Sequence, residues 1–388
     1  MTPKDIITNP YFCPMPWSGI MYNFDGKVKN CIRIVDSMPI GNLCEDSIEN
    51  IVTGSENITR QKLISERSPA PSCQTCYDLE QEKRSFDIIS DRVFYIKELK
   101  KTPIETYQVG NFDLRTVDIR WSNLCNFACV YCSPRFSSKW SSELGIRTEQ
   151  PTDTQKQKFK EYVFENAHKL KHIYLAGGEP LLMKENLELL DRISPDASIR
   201  INTNLSSLDT RVFERVCEFK NVHWTVSVET IEEEYNYIRY GGDWAQFSNN
   251  LQTIKSLDHK ITFNMLHFLL NYQSLFECVD YFINLGFHPN SFVIGALINP
   301  VHLNIRNLPA DVLQSIKQEL ETRISQRPGF LLENSYENLL KYIQQPFKAD
   351  LQNSFQQLEQ MDLRRGLDSS TIFKKLYQLK ENNYGKTL

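Results

Sequence analysis

The stretch Ser122-Asn-Leu-Cys-Asn-Phe-Ala-Cys-Val-Tyr-Cys132 places Cys125, Cys129 and Cys132 within eight residues, and no fourth cysteine or histidine lies nearby in the sequence. Three thiolates can hold a cubane iron–sulfur cluster by three of its irons and leave the fourth iron open. A structural zinc ion fits poorly, because it usually takes four protein ligands in two separated pairs. Three buried free thiols are the other alternative. The close spacing favours the cluster, and an open iron indicates a place for chemistry.

A glycine-rich motif follows these cysteines. The segment Lys171-His-Ile-Tyr-Leu-Ala-Gly-Gly-Glu-Pro180 predicts a short strand that ends in Gly177, Gly178, Glu179 and Pro180. Paired glycines allow a close approach of the backbone. Taken alone, the motif is also typical of an ordinary turn at the end of a strand. Its position 45 residues after Cys132 gives it weight beside the cysteine motif.

Together with Tyr131 just before the last cysteine, these motifs resemble the signature of the radical SAM superfamily. The resemblance implies a [4Fe–4S] cluster at Cys125, Cys129 and Cys132 whose open iron is chelated by the amino and carboxylate groups of S-adenosylmethionine (SAM). It also implies an enzyme in which an electron from the cluster cleaves the sulfonium and yields a 5′-deoxyadenosyl radical, which abstracts hydrogen from a substrate. The protein would place the sulfonium beside the cluster, exclude water and aim the radical at one C–H bond.

The resemblance further implies a set of SAM-binding residues. Glu179 would meet the SAM ammonium, and Arg239 would hold the SAM carboxylate. Polar residues at the ends of two further strands would complete the pocket. For each of them taken singly, capping of the following helix is an equally good interpretation. The predicted set is Tyr131, Gly177, Gly178, Glu179, Pro180, Asn202, Asn204, Ser227, Glu229 and Arg239.

Strand-like apolar runs alternate with helix-length segments from about Asp118 to Ile298, and they predict six β/α units. The runs are 117–121, 172–176, 199–203, 224–228, 262–268 and 292–296, and a helix is predicted over 153–170. Units of this kind indicate an α/β fold with a parallel sheet and helical crossovers. The resemblance implies that this sheet is a partial (β/α)6 TIM-like barrel. The candidate ligands follow the strand C-termini, where barrel enzymes place their sites.

A second group of cysteines lies in the N-terminal region. Asp25-Gly26 predicts a hairpin turn between Cys13 and Cys31. The group resembles the SPASM and twitch auxiliary-cluster domains, here placed before the barrel, and the resemblance implies a second, fully ligated [4Fe–4S] cluster. A zinc ribbon is the alternative, because four thiolates also suit Zn²⁺. Cys44 is an alternative ligand or a spare thiol, and Cys217 and Cys278 are expected in the core. The predicted ligands are Cys13, Cys31, Cys73 and Cys76.

These patterns divide the chain into an auxiliary domain (1–95), a linker (96–114), the barrel (115–300) and a mainly helical C-terminal region (301–388). Helices are predicted over 48–66, 86–97, 311–324, 336–345 and 347–379. Apolar residues recur at helical spacing in the C-terminal region, which favours packing against a core. Such a region also suits a cover for the open side of the barrel or a contact with a partner.

Composition sets further bounds. The 388 residues carry a formal net charge of −4 without a basic run, which disfavours nucleic acid as the main partner. No apolar stretch reaches membrane-spanning length, so a membrane is not expected either. Ten cysteines without an export signal indicate the reducing cytoplasm.

The substrate is not defined by these motifs. The expected substrate is a ribosomally made peptide, which a separate peptide-recognition partner could bring. The expected electron donor is a protein such as a flavodoxin or ferredoxin. The auxiliary cluster would accept an electron from the substrate-derived intermediate or bind it. The alternatives are a radical SAM enzyme acting on a sugar, nucleotide or amino acid, and a non-catalytic iron–sulfur or zinc protein. The intact Gly-Gly-Glu-Pro motif argues against the last, and no catalytic side chain is predicted.

Overall fold

A computed structural model describes residues 8–81, 90–98, 107–147, 150–326 and 329–384. One nine-stranded sheet organises them, in the order β3-β2-β1-β4-β5-β6-β7-β8-β9. Strands β4 to β9 run parallel in chain order. The strands are β1 (Gly19–Tyr22), β2 (Lys27–Lys29), β3 (Gly41–Asn42), β4 (Thr116–Ile119), β5 (His172–Leu175), β6 (Ser198–Thr203), β7 (Val222–Ser227), β8 (Lys260–His267) and β9 (Phe292–Ala296). The predicted α/β class and its six parallel strands are confirmed.

Alternation along the strands gives this sheet an apolar face and a polar face. On β7, Trp224 and Val226 are fully buried, whereas His223 and Ser227 on the other face are only half-buried. The ring of Trp224 contacts Phe213 of the preceding helix (Arg211–Cys217). Successive side chains on a strand point to opposite faces, so the apolar set packs under the crossover helices and leaves the polar set on the other side.

The crossover helices follow their strands in sequence. They are α6 (Ser138–Leu144), α7 (Asp153–Glu165), α8 (Lys184–Leu190), α9 (Arg211–Cys217), α10 (Glu232–Ile238), α11 (Trp244–Lys255) and α12 (Ser274–Asn284). Thr152 and Gln155 form a capping box that begins α7. This helix ends at Glu165, and a 3-10 turn (Ala167–Lys169) replaces the end of the helix predicted over 153–170.

The N-terminal region joins the same sheet. Strand β1 pairs in parallel with β4, and β2 and β3 extend the sheet as antiparallel strands. Its helices are α1 (Met15–Ser18), α2 (Ile48–Val52), α3 (Ser55–Ser65), α4 (Gln74–Gln81) and α5 (Asp91–Glu98). Gly54 at the start of α3 divides the helix predicted over 48–66. The first part of the helix predicted over 86–97 lies outside the described residues.

The C-terminal region is helical, as predicted. It contains α13 (Ala310–Gln326), α14 (Leu331–Ile343), α15 (Leu351–Arg365), α16 (Ser369–Ile372) and α17 (Lys374–Tyr384). The single helix predicted over 347–379 is wrong: α15 ends at Gly366, whose left-handed backbone (φ 66°) is a common helix stop. Helix α14 covers the edge strand β9, where Ser335 accepts a hydrogen bond from Ile294 N. Among the described residues, no helix has the length and apolar character needed to span a membrane.

Candidate functional site

The loop between β4 and α6 carries Cys125, Cys129 and Cys132. Burial, with smaller contributions from the charges of Glu179 and Cys132, raises the pKa of the Cys125 thiol to about 12. The pKa of Cys129 is likewise raised, first by burial and then by Cys132 and Cys125, although Arg239 opposes this. The three cysteines lie on one short loop, and each is buried or half-buried. Thiolates in such a buried place need a strong local positive charge, and iron would supply it. The donor set therefore fits a cluster.

This loop is held by several hydrogen bonds from outside it. Trp140 Nε1 on α6 donates to the carbonyl of Cys129 at 2.8 Å. Arg365 at the end of α15 donates to the carbonyl of Ala128 at 2.9 Å, and its side chain is buried. The guanidinium carbon of Arg365 lies 4.6 Å from the ring centroid of Trp140 and 4.3 Å from that of Tyr240. The C-terminal region thus covers the cysteine loop.

The Gly-Gly-Glu-Pro motif lies directly against the same loop. Glu179 N donates to the carbonyl of Leu124 at 2.7 Å. A Cβ atom added to Gly178 would lie 2.1 Å from that carbonyl oxygen, a contact that no side chain could accept. Gly177 has a φ of +127°, which favours glycine. The structure therefore brings the two predicted motifs into one site and explains both glycines by close approach.

The Glu179 carboxylate joins the ends of β5 and β6. It is fully buried. Its Oε1 accepts hydrogen bonds from Thr203 Oγ1 (2.8 Å) and Leu181 N (3.1 Å), and its Oε2 accepts one from Asn204 N (2.7 Å). Burial raises the pKa of Glu179 to about 7, although these hydrogen bonds lower it. Each carboxylate oxygen has two acceptor positions, so Oε2 can still accept a bond from a ligand. The predicted contact with the SAM ammonium stays a prediction.

Glu179→Gln is expected to affect both stability and SAM binding. The new amide nitrogen would face an N–H or O–H donor, and an unmet buried partner costs about 1–3 kcal/mol of folding free energy. Loss of a charge-assisted bond to SAM should weaken SAM binding by roughly 1.5–3 kcal/mol. Urea unfolding and SAM titration of the reconstituted protein measure the two effects. The exposed Glu165 on α7 provides the control Glu165→Gln, which should change neither. Unchanged SAM affinity in Glu179→Gln would refute the ligand assignment.

Two residues of the predicted SAM set, Glu229 and Arg239, pair with each other. Arg239 Nη2 lies 2.6 Å from Glu229 Oε1 and its Nε lies 2.8 Å from Oε2, with both side chains buried. Tyr131 donates its hydroxyl hydrogen to Glu229 Oε1 at 2.9 Å. Arg239 Nη1 lies 4.0 Å from the sulfur of Cys129. The pair therefore ties the end of β7 to the cysteine loop, and its roles toward SAM remain predictions.

The other predicted residues lie at the same edge of the sheet. Asn204 Nδ2 donates to Asn126 of the cysteine loop at 3.1 Å. Asn202 and Ser227 are half-buried on the polar face, and Pro180 begins a buried 3-10 turn (Pro180–Leu182). Sequence reasoning missed Arg365 and Trp140. Their only signal was polar or aromatic character at helical positions, which does not mark a contact with a distant loop.

The four predicted N-terminal ligands influence one another's pKa values. Burial raises the pKa of Cys13, and the charges of Cys73, Cys31 and Cys76 raise it further, in that order. Burial raises the pKa of Cys31 to about 12. Burial lowers the pKa of the Arg60 guanidinium, and the charges of Cys73, Cys31 and Cys13 oppose this effect. These mutual effects on the pKa values suit one anionic centre, and the four cysteines as its ligands stay a prediction.

The remaining cysteines are separate from both sets. Cys44 is exposed. Burial raises the pKa of Tyr22, and the charge of Cys44 raises it as well. Cys278 is fully buried in the main core, and Cys217 is half-buried on α9. Within the described ranges, no three His, Cys, Asp or Glu side chains are gathered tightly enough to hold a single metal ion.

Two family models match the parts of the chain that carry these sites. Residues 119–282 match the model of the radical SAM superfamily, and residues 13–77 match that of the SPASM iron-sulfur cluster-binding domain. Residues 119–282 of the chain therefore belong to the radical SAM superfamily. The expected radical SAM domain and the iron–sulfur cluster-binding domain before it in the chain are thereby confirmed.

This radical SAM chain is also similar to individual proteins. It is 30% identical over 106 residues to 7-carboxy-7-deazaguanine synthase of Clostridium acetobutylicum, over 27% of this chain and 42% of that protein. Native anSMEcpe with bound AdoMet is 14% identical, with 56% of this chain and 63% of that chain covered and a TM-score of 0.41. Streptococcus suis SuiB bound to precursor peptide SuiA is 15% identical, with 73% and 64% covered and a TM-score of 0.40. The chain spans less than two thirds of the length of each of them.

Proposed function

We propose that this protein binds SAM beside a [4Fe–4S] cluster at Cys125, Cys129 and Cys132 and abstracts hydrogen from a ribosomally made peptide. The observation that carries the proposal is the contact between the Gly178 backbone and the carbonyl of Leu124, which makes one site of the two motifs. When bound, the cluster and SAM supply a one-electron cleavage of the sulfonium and a carbon radical that takes the hydrogen. The electron comes from a donor protein such as a flavodoxin or ferredoxin.

The chain's own residues prepare the site for this chemistry. Glu179 is oriented by its three hydrogen bonds toward the ends of β5 and β6, where it can receive a cationic group. Arg365 and Trp140 cover the cysteine loop and keep water from it. Arg239 places a positive charge beside Cys129 and thereby favours the thiolate form. Exclusion of water protects a reactive radical from side reactions.

An open polar face of the sheet supports a peptide as the substrate. Asn264 on β8 and its register partner Val293 on β9 are both exposed, and Arg200 on β6 is exposed as well. Such a face admits an extended chain, whereas an enzyme for a small metabolite needs a closed pocket. The auxiliary domain supports the same choice, because the family resemblance links such domains to peptide modification. SuiB, in the structure noted above, is bound to a precursor peptide.

A small metabolite is the second candidate. The similarity to 7-carboxy-7-deazaguanine synthase favours it, although only 27% of the chain is involved. The auxiliary cysteines distinguish the two candidates, because they lie outside the region expected to bind SAM.

Deuterium transfer tests the proposed function. The anaerobically reconstituted protein, given a reductant, SAM and deuterated peptides encoded beside its gene, should yield 5′-deoxyadenosine that carries deuterium. A variant with Cys73→Ala and Cys76→Ala should still form 5′-deoxyadenosine but make no peptide product, because only the open cluster binds SAM. Mass spectrometry of both products measures the outcome.

The control for this variant is Cys44→Ala, which removes an exposed thiol of the same region and should leave the product unchanged. Circular dichroism and residual iron must show that the double variant is folded, since four thiolates can contribute to folding their own domain. A folded double variant that makes normal product would show that the auxiliary site is dispensable. Deuterium transfer only from small metabolites would replace the peptide by the second candidate.

A further inference from the structure

One register row of the sheet collects polar and charged side chains on the polar face. Asp118 on β4 is paired with Tyr174 on β5, which is paired with Arg200 on β6. The row continues through His223 on β7 to Lys260 on β8. Register partners in a parallel sheet point to the same side, so these five side chains lie next to one another. None of these five residues belongs to either set of cysteines.

Two guanidinium groups approach the ring of Tyr174. The Arg120 guanidinium carbon lies 5.9 Å from the ring centroid and that of Arg200 lies 5.4 Å from it. Arg120 Nη1 donates to Asp118 Oδ1 at 2.5 Å. Arg200 Nε donates to Thr225 Oγ1 at 3.1 Å. Among the described residues, Arg200 has no carboxylate partner, and its side chain is exposed. Its two terminal nitrogens can therefore bind a ligand.

Asp118 has a second oxygen atom that lacks a hydrogen-bond partner. Its residue is 8% exposed, and its Oδ2 is buried without a hydrogen-bond partner among the described residues. Burial raises the pKa of Asp118 to about 6, although Arg120, Lys29 and Arg200 lower it. A buried acceptor without a partner is costly, and a hydrogen-bond donor of a substrate is one group that would satisfy it.

The face around these groups has an excess of positive charge. Burial, with smaller contributions from the charges of Arg200 and Lys260, lowers the pKa of His223 to about 3, so this ring is neutral near pH 7. Asp118 offsets the charge of Arg120 by a direct ion pair. Arg200 and Lys260 remain as cations at the open surface, which favours an anionic group over a cationic one.

The row lies close to the SAM motif. A Cβ atom added to Gly177 would lie 3.5 Å from the Cβ of Arg120. Tyr174 precedes Gly177 by three residues, which corresponds to about 10 Å along a strand. A substrate whose anionic group lies beside Tyr174 would therefore extend toward the SAM site at the end of the strands.

We infer that Arg200, with Arg120 and Tyr174, forms a subsite for an anionic group of the substrate, a carboxylate or a phosphate. A guanidinium binds either group through two parallel hydrogen bonds. Asp118 orients Arg120 and accepts an N–H or O–H hydrogen from the same part of the substrate. The inference rests on the proposed function in one respect, that the substrate reaches the cluster over the polar face.

Peptide binding and chemical modification test this subsite in the reconstituted protein with SAM bound. Fluorescent peptides that differ only in a central Glu, phosphoserine, Gln or Lys are compared by anisotropy. The Glu or the phosphoserine peptide should bind at least about tenfold more tightly than the Gln and Lys peptides. Arg200→Gln should remove this preference, and Arg200→Lys should retain part of it. The control Arg192→Gln, which changes an exposed arginine in the turn after α8, should keep the full preference.

A second measurement does not depend on a peptide. Phenylglyoxal modification of Arg200, followed by mass spectrometry, should be slowed by succinate or inorganic phosphate, whereas modification of Arg192 should not. Protection without peptide binding would leave the subsite standing and overturn the peptide proposal, and the more protective anion identifies the group. No protection, or a preference for the Lys peptide, would overturn the subsite even if deuterium transfer from a peptide succeeds.

Discussion

Changing Cys125, Cys129 and Cys132 together to Ala is expected to remove about half of the iron and to abolish SAM cleavage. Two cubane clusters would give the reconstituted wild-type protein about eight irons per chain. The variant should retain only the cluster at the N-terminal cysteines. The pKa of Cys13 is shifted by burial and by the other N-terminal cysteines, and that of Cys129 by burial and by Cys132 and Cys125, so the two sets of thiols are separate. Iron and sulfide analysis and chromatography of 5′-deoxyadenosine measure the two losses.

A matched control and a check of folding complete this experiment. Cys217→Ala removes a half-buried thiol outside both sets and should keep the full iron content and SAM cleavage. The triple variant is expected to fold, because Trp140 and Arg365 bind backbone carbonyls of the loop and not its sulfurs. Full iron in the triple variant, or one tightly bound zinc in the wild type, would contradict the two-cluster assignment.

The parallel core of the fold was predictable because its signals are local. Each of the strands β4 to β9 is a short apolar run followed by a helix-length segment, and consecutive β/α units pack side by side. The cysteine loop and the Gly-Gly-Glu-Pro motif follow adjacent strands, so sequence order alone indicated that they meet. The contact between Gly178 and Leu124 shows this prediction at atomic distance.

Contacts between distant parts of the chain were not predictable. Strand β1 has four residues, and nothing in them specifies pairing with β4, about a hundred residues later. The hydrogen bond from Arg365 to the carbonyl of Ala128 spans 237 residues. Such contacts depend on how the elements pack, because an arginine in an amphipathic helix has the same local pattern whether it faces water or a loop.

The polar residues of the predicted SAM set show a different limit. Glu229 and Arg239 were both predicted to bind SAM, and the structure shows that they bind each other. A carboxylate or guanidinium in this position has the same sequence signature whether it contacts a ligand or another protein group. Geometry is needed to separate these roles.

The second large effect is expected from breaking the buried Glu229–Arg239 pair. Arg239→Met leaves the Glu229 carboxylate buried without its cation, which typically costs about 3–5 kcal/mol of folding free energy. The same change removes a positive charge 4.0 Å from the sulfur of Cys129, so the reduction potential of the cluster should fall. Urea unfolding under anaerobic conditions and a redox titration followed by electron paramagnetic resonance measure these changes.

A double variant separates the cost of the broken pair from the value of the pair itself. Glu229→Gln combined with Arg239→Met removes both charges and should recover much of the lost stability, because a neutral amide can still accept from Tyr131. Lys380→Met, which breaks the exposed ion pair with Glu359, should cost no more than about 1 kcal/mol. If Arg239→Met were as mild as Lys380→Met, the guanidinium would not carry the buried charge of Glu229. If stability fell but the potential stayed unchanged, Arg239 would hold the loop in place without acting on the cluster electrostatically.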